Sequence, residues 1–313
     1  MSEPQAQSRP VISVTVSPKS DAGREDLHRA LSDLVQNDPT ATVIPAPVDG
    51  PAVIRGMSGL HLESICGRIS NEYKIEIDVG EPEVIYLETI RKKAEAEGKY
   101  IRQTGGSGNY GHCKLRVEPS AQDSGYEFVN AIKSGSVPGQ YIESIDQGAQ
   151  EAAGQGILAG YPLADVKVTL CDGSYHEIDS NQLAFKFAGS IAFKEAARKA
   201  SPVLLEPVMA VEVTVPGEHT GTIAGDISSR RGRIEGMEDV GDWKFVKAIV
   251  PLAEMLPSSK QGRANYPMYF AGYEPVPRGG WPGDDSAGVP VKKPQLPTAG
   301  SGFAAARLET ESE

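Results

Sequence analysis

Asp172-Gly173-Ser174-Tyr175-His176-Glu177-Ile178-Asp179-Ser180, running into Asn181-Gln182-Leu183-Ala184-Phe185-Lys186-Phe187-Ala188-Gly189-Ser190-Ile191-Ala192-Phe193-Lys194, is the most informative stretch of this 313-residue chain. An apolar run, Val166 to Leu170, precedes it and reads as a β-strand ending in a glycine-containing polar turn. A helix then opens, with Asp179 or Ser180 placed to cap its free N–H groups. Leu183, Phe187 and Ile191 recur at i, i+4, i+8 and predict one buried stripe. Ser174, Tyr175 and His176 are therefore expected on a loop between two rigid elements, where binding residues concentrate.

Working outward, residues 11–79 read as βαββαβ. Val11–Val16 alternates as a strand, and Asp21–Gln36 is a helix with Leu27, Leu31 and Leu34 on one face. Thr42–Ile44 and Ala52–Arg55 flank a Pro-Val-Asp-Gly turn at 47–50, followed by a helix over Leu60–Tyr73 and a strand over Lys74–Val79. Residues 208–273 repeat the order: strand Met209–Val215, helix His219–Arg231, strands Arg233–Met237 and Lys244–Val250, a short helical piece, and Met268–Tyr273. The pattern predicts two ferredoxin-like split-βαβ domains. Between them, strands are expected at Tyr100–Gln103, His112–Val117, Tyr126–Ile132 and Val166–Leu170, with helices Gln140–Leu158 and Asn181–Lys199. Pro202 marks the boundary. The expected organisation is α+β, with units at 10–87, 88–202 and 203–277 and a disordered tail at 278–313, where Pro, Gly and Ser dominate.

The net charge of −11 counts against general nucleic-acid affinity, because phosphate contact needs basic surface. Arg91-Lys92-Lys93 is flanked by Glu88, Glu95 and Glu97, whereas Arg230, Arg231 and Arg233 form a more concentrated cluster. Cys66, Cys113 and Cys171 are widely spaced without a CxxC, which fits a reducing cytosol and argues against a disulfide frame or a zinc site. The N-terminus has no apolar signal-peptide core and no run is long enough to span a bilayer, so a cytoplasmic protein without membrane contact is expected. No Gly-x4-Gly-Lys-Ser/Thr occurs, and Arg102-Gln103-Thr104-Gly105-Gly106-Ser107-Gly108-Asn109-Tyr110-Gly111 lacks the lysine and following helix of a phosphate cradle. His28, His112 and His219 show no shared ligand spacing, His61 reads as structural, and no Gly-x-Ser-x-Gly elbow is present. No catalytic residue, metal or cofactor is expected.

The same residues carry a resemblance. Asp172–Lys194 is similar to the distal loop and following helix of the fourth domain of bacterial elongation factor G. Gly56-Met57-Ser58-Gly59-Leu60-His61-Leu62-Glu63 resembles that family's third-domain signature. Glu88–Ile90, Arg102–Gly106, Tyr110–His112, Gly156–Pro162 and Val166–Leu170 continue the likeness through the fourth domain. Arg230–Arg233, Pro251–Met255, Gln261–Arg263 and Tyr273–Pro277 resemble the fifth.

The resemblance implies two ferredoxin-like domains flanking an α/β domain related to the second domain of a small-subunit ribosomal protein. It further implies a translation factor that binds the ribosome and tRNA–mRNA without a GTPase domain of its own. Implied contacts with ribosomal RNA and protein are Gln103, Gly105, Gly106 and Tyr110 in one tip loop, Ser174, Tyr175 and His176 in the other, and Arg230, Arg231 and Arg233 toward the large subunit. Glu177 and Asp179 read as loop and cap residues rather than an acid/base pair. The family's usual C-terminal amphipathic helix has no counterpart after Pro277, and the segment from Leu256 to Lys260 is shorter than its equivalent. Several readings stay open: a half-factor with a separately encoded GTPase partner, a ribosomal protection or modulator paralogue, an eroding fragment, and a non-ribosomal hydrolase reusing the domains.

Overall fold

The structure, a computed structural model, describes residues 9–20, 23–45, 50–104, 107–132, 135–259 and 267–277. Gly105, Gly106, the Gln261–Arg263 motif, most of the 47–50 turn and the tail after Pro277 lie outside these residues, as does the side chain of Gln103. The described residues fold into two compact units, one built from those up to Glu88 together with those from Val203 onward, the other from Thr89–Pro202.

The first unit holds the split-βαβ order twice. Strand β1 (Ile12–Pro18), helix α1 (Arg24–Asn37), strands β2 (Thr42–Ile44) and β3 (Ala52–Gly56), helix α2 (Gly59–Glu72) and strand β4 (Ile77–Val79) form an antiparallel sheet of order β2-β3-β1-β4, with β5 (Glu83–Val84) on β1. The alternation in β1 buries Ile12, Val14 and Val16. Leu27, Ala30, Leu31 and Leu34 recur at helical spacing and form the buried face of α1. The second motif runs β11 (Pro202–Pro216), α5 (Thr220–Ser229), β12 (Arg233–Val240), β13 (Trp243–Pro251), α6 (Leu252–Ser259) and β14 (Met268–Pro275), in sheet order β12-β13-β11-β14. Val11, Ile54, Leu62, Met209, Ile227 and Val246 belong to one hydrophobic core.

A polar brace joins the two helices of the first motif. Ser58 caps α2 by accepting from the His61 N–H, and the Met57 N–H donates to His61 Nδ1 at 3.2 Å. The ring proton then sits on Nε2 and is donated to Asp38 Oδ2 at 2.7 Å, at the C-terminal cap of α1. Asp38 also accepts from the Thr40 hydroxyl at 2.6 Å and the Thr40 N–H at 2.9 Å.

The second unit is an α/β sandwich. After β6 (Leu87–Ile90) come β7 (Ala94–Thr104), β8 (Ser107–Pro119), β9 (Tyr126–Asn130), α3 (Ile142–Gln155), β10 (Val166–Ser174) and α4 (Gln182–Lys199), with sheet order β7-β8-β10-β9. Strands β7 and β8 form a long hairpin, registered from Ala94 opposite Val117 to Thr104 opposite Ser107. The strands expected at Tyr100–Gln103 and His112–Val117 are therefore too short. Ala94, Ala96 and Gly98 occupy one face of β7 without the β-branched residues that mark a strand.

The expected buried stripe of α4 is reversed. Leu183, Phe187 and Ile191 are exposed, while Ala184, Phe185, Ala188, Ala192, Phe193, Ala196 and Ala197 are buried. Backbone proximity is the cause. A Cβ built at Gly98 would fall on the Ala188 carbonyl, and one at Gly111 on the Ala184 carbonyl, so only small residues of α4 can face the hairpin. Phe187 lies outside this seam, its ring stacked on Tyr100 with centroids 4.8 Å apart.

Hydrogen bonding from the Thr40 hydroxyl, and then from His61, lowers the Asp38 carboxyl to about 2 against the opposing effect of burial. A folded-state pKa below the ordinary value of about 3.9 contributes stability that is complete above that value and lost as pH falls through the folded pKa. The Asp38→Asn variant should therefore melt below wild type at pH 7. The gap in Tm, followed by circular dichroism, should close as pH is lowered from 4 toward 2. A gap unchanged at pH 2 would show that the carboxylate charge contributes nothing.

Candidate functional site

The distal end of the second unit brings two segments together, the β7–β8 hairpin end and the loop from β10 to α4. Strand β10 extends to Ser174, past a bulge between Leu170 and Asp172, so Ser174 lies on the strand rather than in the expected loop. Ser174 is registered opposite His112. Tyr110 and His112 are two apart on β8 and project to the same face. The Ser174 hydroxyl lies 2.7 Å from Tyr110 Oη and 2.8 Å from His112 Nδ1. His112 Nε2 is buried without a hydrogen-bond partner, 3.6 Å from Glu97 Oε2. With the imidazole proton on Nε2, the chain of donors runs from Tyr110 through Ser174 to His112.

The loop beyond Ser174 is held by its own far end. Tyr110 N–H donates to the Asp179 carbonyl at 2.8 Å, and Gly108 N–H to the Asp179 carboxylate at 3.1 Å. The Ser180 hydroxyl donates to the Tyr110 carbonyl at 3.0 Å and accepts from the His176 N–H at 2.9 Å. Asn181, rather than Asp179 or Ser180, caps α4 by accepting from the Ala184 N–H at 2.9 Å. Its amide nitrogen also donates to Asn109 at 2.6 Å. Asp179 and Ser180 thus stitch the two segments together, which leaves the capping position to the next residue.

This frame presents aromatic and apolar side chains outward, with the exposed Glu177 among them. Tyr175 is 44% exposed and Ile178 is 86% exposed. The exposed His176 ring sits 6.4 Å from the Tyr110 ring, and its Nδ1 is 3.4 Å from Asp179 Oδ2. Tyr175 and His176 of the expected contacts are on this surface, whereas the hydroxyls of Ser174 and Tyr110 are engaged with each other. His112, Asp179 and Ile178 belong to the tip although the sequence does not mark them as site residues. The two-residue spacing of Tyr110 and His112 on a strand was the available signal for the first.

Arg230, Arg231 and Arg233 lie in the first unit. Arg230 caps α5, is buried, and donates to Asp226 at 3.0 Å and to the Glu254 carbonyl at 3.2 Å. Arg231 holds Glu206 in a two-pronged ion pair at 2.8 Å on each arm and reaches Glu254 at 2.8 Å. Arg233 does the same to Glu274 at 2.6 and 2.7 Å. All three guanidinium groups are engaged by carboxylates of the same unit. Among the described residues no cluster of His, Cys, Asp and Glu could hold a metal ion, and no helix is long and apolar enough to cross a membrane.

Ser174→Ala would leave Tyr110 Oη and His112 Nδ1 without their partner in a part-buried setting. It should lower stability by about 1–3 kcal/mol in urea unfolding, whereas His176→Ala should stay within about 0.5 kcal/mol of wild type. Equal effects would mean that the polar frame does not hold the tip.

Three family models match the chain between residues 7 and 279. The one described as elongation factor G, domain III covers residues 7–81, domain IV covers 82–201, and the elongation factor G C-terminus covers 203–279. A crystal structure of a protein from Thermus thermophilus superposes with a TM-score of 0.62 at 40% identity, covering 86% of this chain and 41% of that one. The chain therefore spans less than half the length of that relative.

Proposed function

The chain belongs to the elongation factor G family, and from this premise we propose that it acts at the ribosome, as the portion of such a factor that meets the decoding region and assists movement of tRNA and mRNA. The observation that supports this reading is the tip of the second unit. Tyr175, His176 and Ile178 are exposed on a loop whose polar backbone is tied to the neighbouring hairpin by Asp179 and Ser180. Such a surface suits unpaired bases and sugars, which are met by stacking and short hydrogen bonds rather than by phosphate pairing. It also suits a chain with a net charge of −11, because contact of this kind needs no basic field. His176 would serve as a contact residue, through its ring face and Nε2, without proton transfer.

We further propose that Arg231 and Arg233 are secondary contacts at most. Each already holds a carboxylate by two hydrogen bonds, so a phosphate would meet a cation whose charge is largely neutralised. The chain also contains no Gly-x4-Gly-Lys-Ser/Thr, so any nucleotide-driven step would come from another polypeptide.

Two measurements test the reading. In co-sedimentation with ribosomes, His176→Ala should bind within about threefold of wild type, because most of the contact lies elsewhere. In a tRNA–mRNA movement assay with a GTPase-bearing chain supplied separately, the same variant should be slower by about tenfold or more. Wild-type protein that fails to sediment with ribosomes, or a variant that moves tRNA at the wild-type rate, would overturn the assignment. Calorimetry with GTP should give no saturable heat, and a micromolar Kd would overturn the proposal that nucleotide chemistry lies elsewhere.

A further inference from the structure

The β12-β13-β11-β14 sheet carries its helices on one side and leaves part of the other uncovered. Residues directly opposite in an antiparallel pair share a face. Trp243 is opposite Val240 and Pro216, Phe245 is opposite Glu238 and Thr214, and Lys247 is opposite Glu212. The alternating residues Val246, Ala248 and Val250 are buried in the core, so this set points outward. Val240 is 60% exposed and Trp243 50% exposed. They flank the Gly241-Asp242 turn at the hairpin end, and Phe245 continues the apolar strip along β13.

The charges around this strip are predominantly acidic. Glu212 and Glu238 share this face with Lys247, and Asp242 lies in the turn beside it. Arg233, opposite Ile249 on the same face, is held by Glu274. Lys247 lies 5.3 Å from the centre of the Phe245 ring, which leaves the three acids as the excess charge. An exposed tryptophan–valine pair beside the half-buried Phe245, with acids around it, repels phosphate and attracts a cationic, partly apolar surface.

We propose that this hairpin face is a docking site for a lysine- or arginine-rich protein segment, with Trp243 as its central anchor. The aromatic strip takes the partner's apolar side chains and alkyl stems, and Glu238 and Asp242 meet its cations. This face shares neither residues nor ligand class with the tip of the second unit, so its role does not depend on what the tip binds.

Trp243 is one of two tryptophans in the chain, so a Trp281→Phe background makes it the sole reporter. Three probes are titrated into that protein: a synthetic amphipathic lysine–leucine peptide, a glutamate–leucine peptide of equal length, and protein-free ribosomal RNA. The expected result is a saturable blue shift of Trp243 emission with the lysine–leucine peptide alone, weakening as salt rises. The double variant Glu238→Lys, Asp242→Lys should weaken that binding by about tenfold or more while leaving far-ultraviolet circular dichroism unchanged. Absence of a saturable shift with the cationic peptide would overturn the proposal. So would an equal shift with the acidic peptide, a shift with RNA in its place, or a charge-reversed variant that binds as wild type. If the double variant fails to fold, Trp243→Phe with peptide binding followed by calorimetry replaces it, and binding as tight as wild type would count against Trp243 as the anchor.

Discussion

The contact between α4 and the β7–β8 hairpin governs the second unit. Neither Gly98 nor Gly111 has room for a Cβ, because the Ala188 and Ala184 carbonyls occupy that space. A helix lying this close can turn only a small-residue face to the sheet, which fixes its rotation about its own axis. Ala184, Ala188 and Ala192 are that face, with Phe185 and Phe193 filling the core beside them. Once the rotation is set, Asn181 lies over Asn109 and Ser180 lies over Tyr110. The tip therefore inherits its geometry from backbone contacts that begin beside it, at Gly111 and Ala184, and continue to Gly98 and Ala188. Any larger side chain in the seam would lift the helix and unpick the hydrogen bonds that join the two tip segments, beyond the usual strain of overpacking.

The same contact explains what could and could not be read from the sequence. The βαββαβ order was legible twice, since alternating valine and isoleucine runs separated by polar turns are strong local signals. The loop carrying Tyr175 and His176 was legible because a strand pattern stops and a helix pattern starts on either side of it. The buried face of α4 was not. Periodicity ranks residues by hydrophobicity, and by that rule Leu183, Phe187 and Ile191 outweigh alanines. Nothing in a one-dimensional pattern says that the partner surface is a glycine-bearing hairpin that admits only alanine. The first half of β7 escaped for the related reason that its inward residues there are alanine and glycine.

Residue type also says nothing of the partners a side chain already holds within the fold. Ser174 and Tyr110 carry hydroxyls of the kind that contact nucleic acid, yet each is engaged with the other, and Ser174 with His112 as well. The arginine run 230–233 has the composition of a phosphate site. Asp226 is a helical neighbour of Arg230, but Glu206, Glu254 and Glu274 are scattered over more than sixty positions of sequence, invisible until β11, α6 and β14 assemble around it. Glu206 is only 3% exposed, and a buried carboxylate needs a cation against it whatever else that cation does. A cluster of like charges in sequence is thus weak information when the opposite charges are distant along the chain.

In the ribosomal role proposed above, an acidic protein would meet an electrostatic penalty wherever phosphate is uppermost, and the two exposed surfaces would reduce it differently. The tip of the second unit carries an imidazole, a phenol and an isoleucine beside the exposed Glu177, with Asp179 turned back onto the Gly108 N–H and the His176 ring. Its aromatic and apolar side chains can meet bases without a basic field around them. The β12–β13 hairpin keeps its acids at the rim, where the field that would repel RNA attracts a basic protein instead. A particle built of polyanionic RNA and cationic proteins offers both kinds of surface. Net charge therefore restricts where an acidic chain can touch such a particle without deciding whether it can, and local burial of carboxylates against arginines does as much to shape that choice as the total of −11.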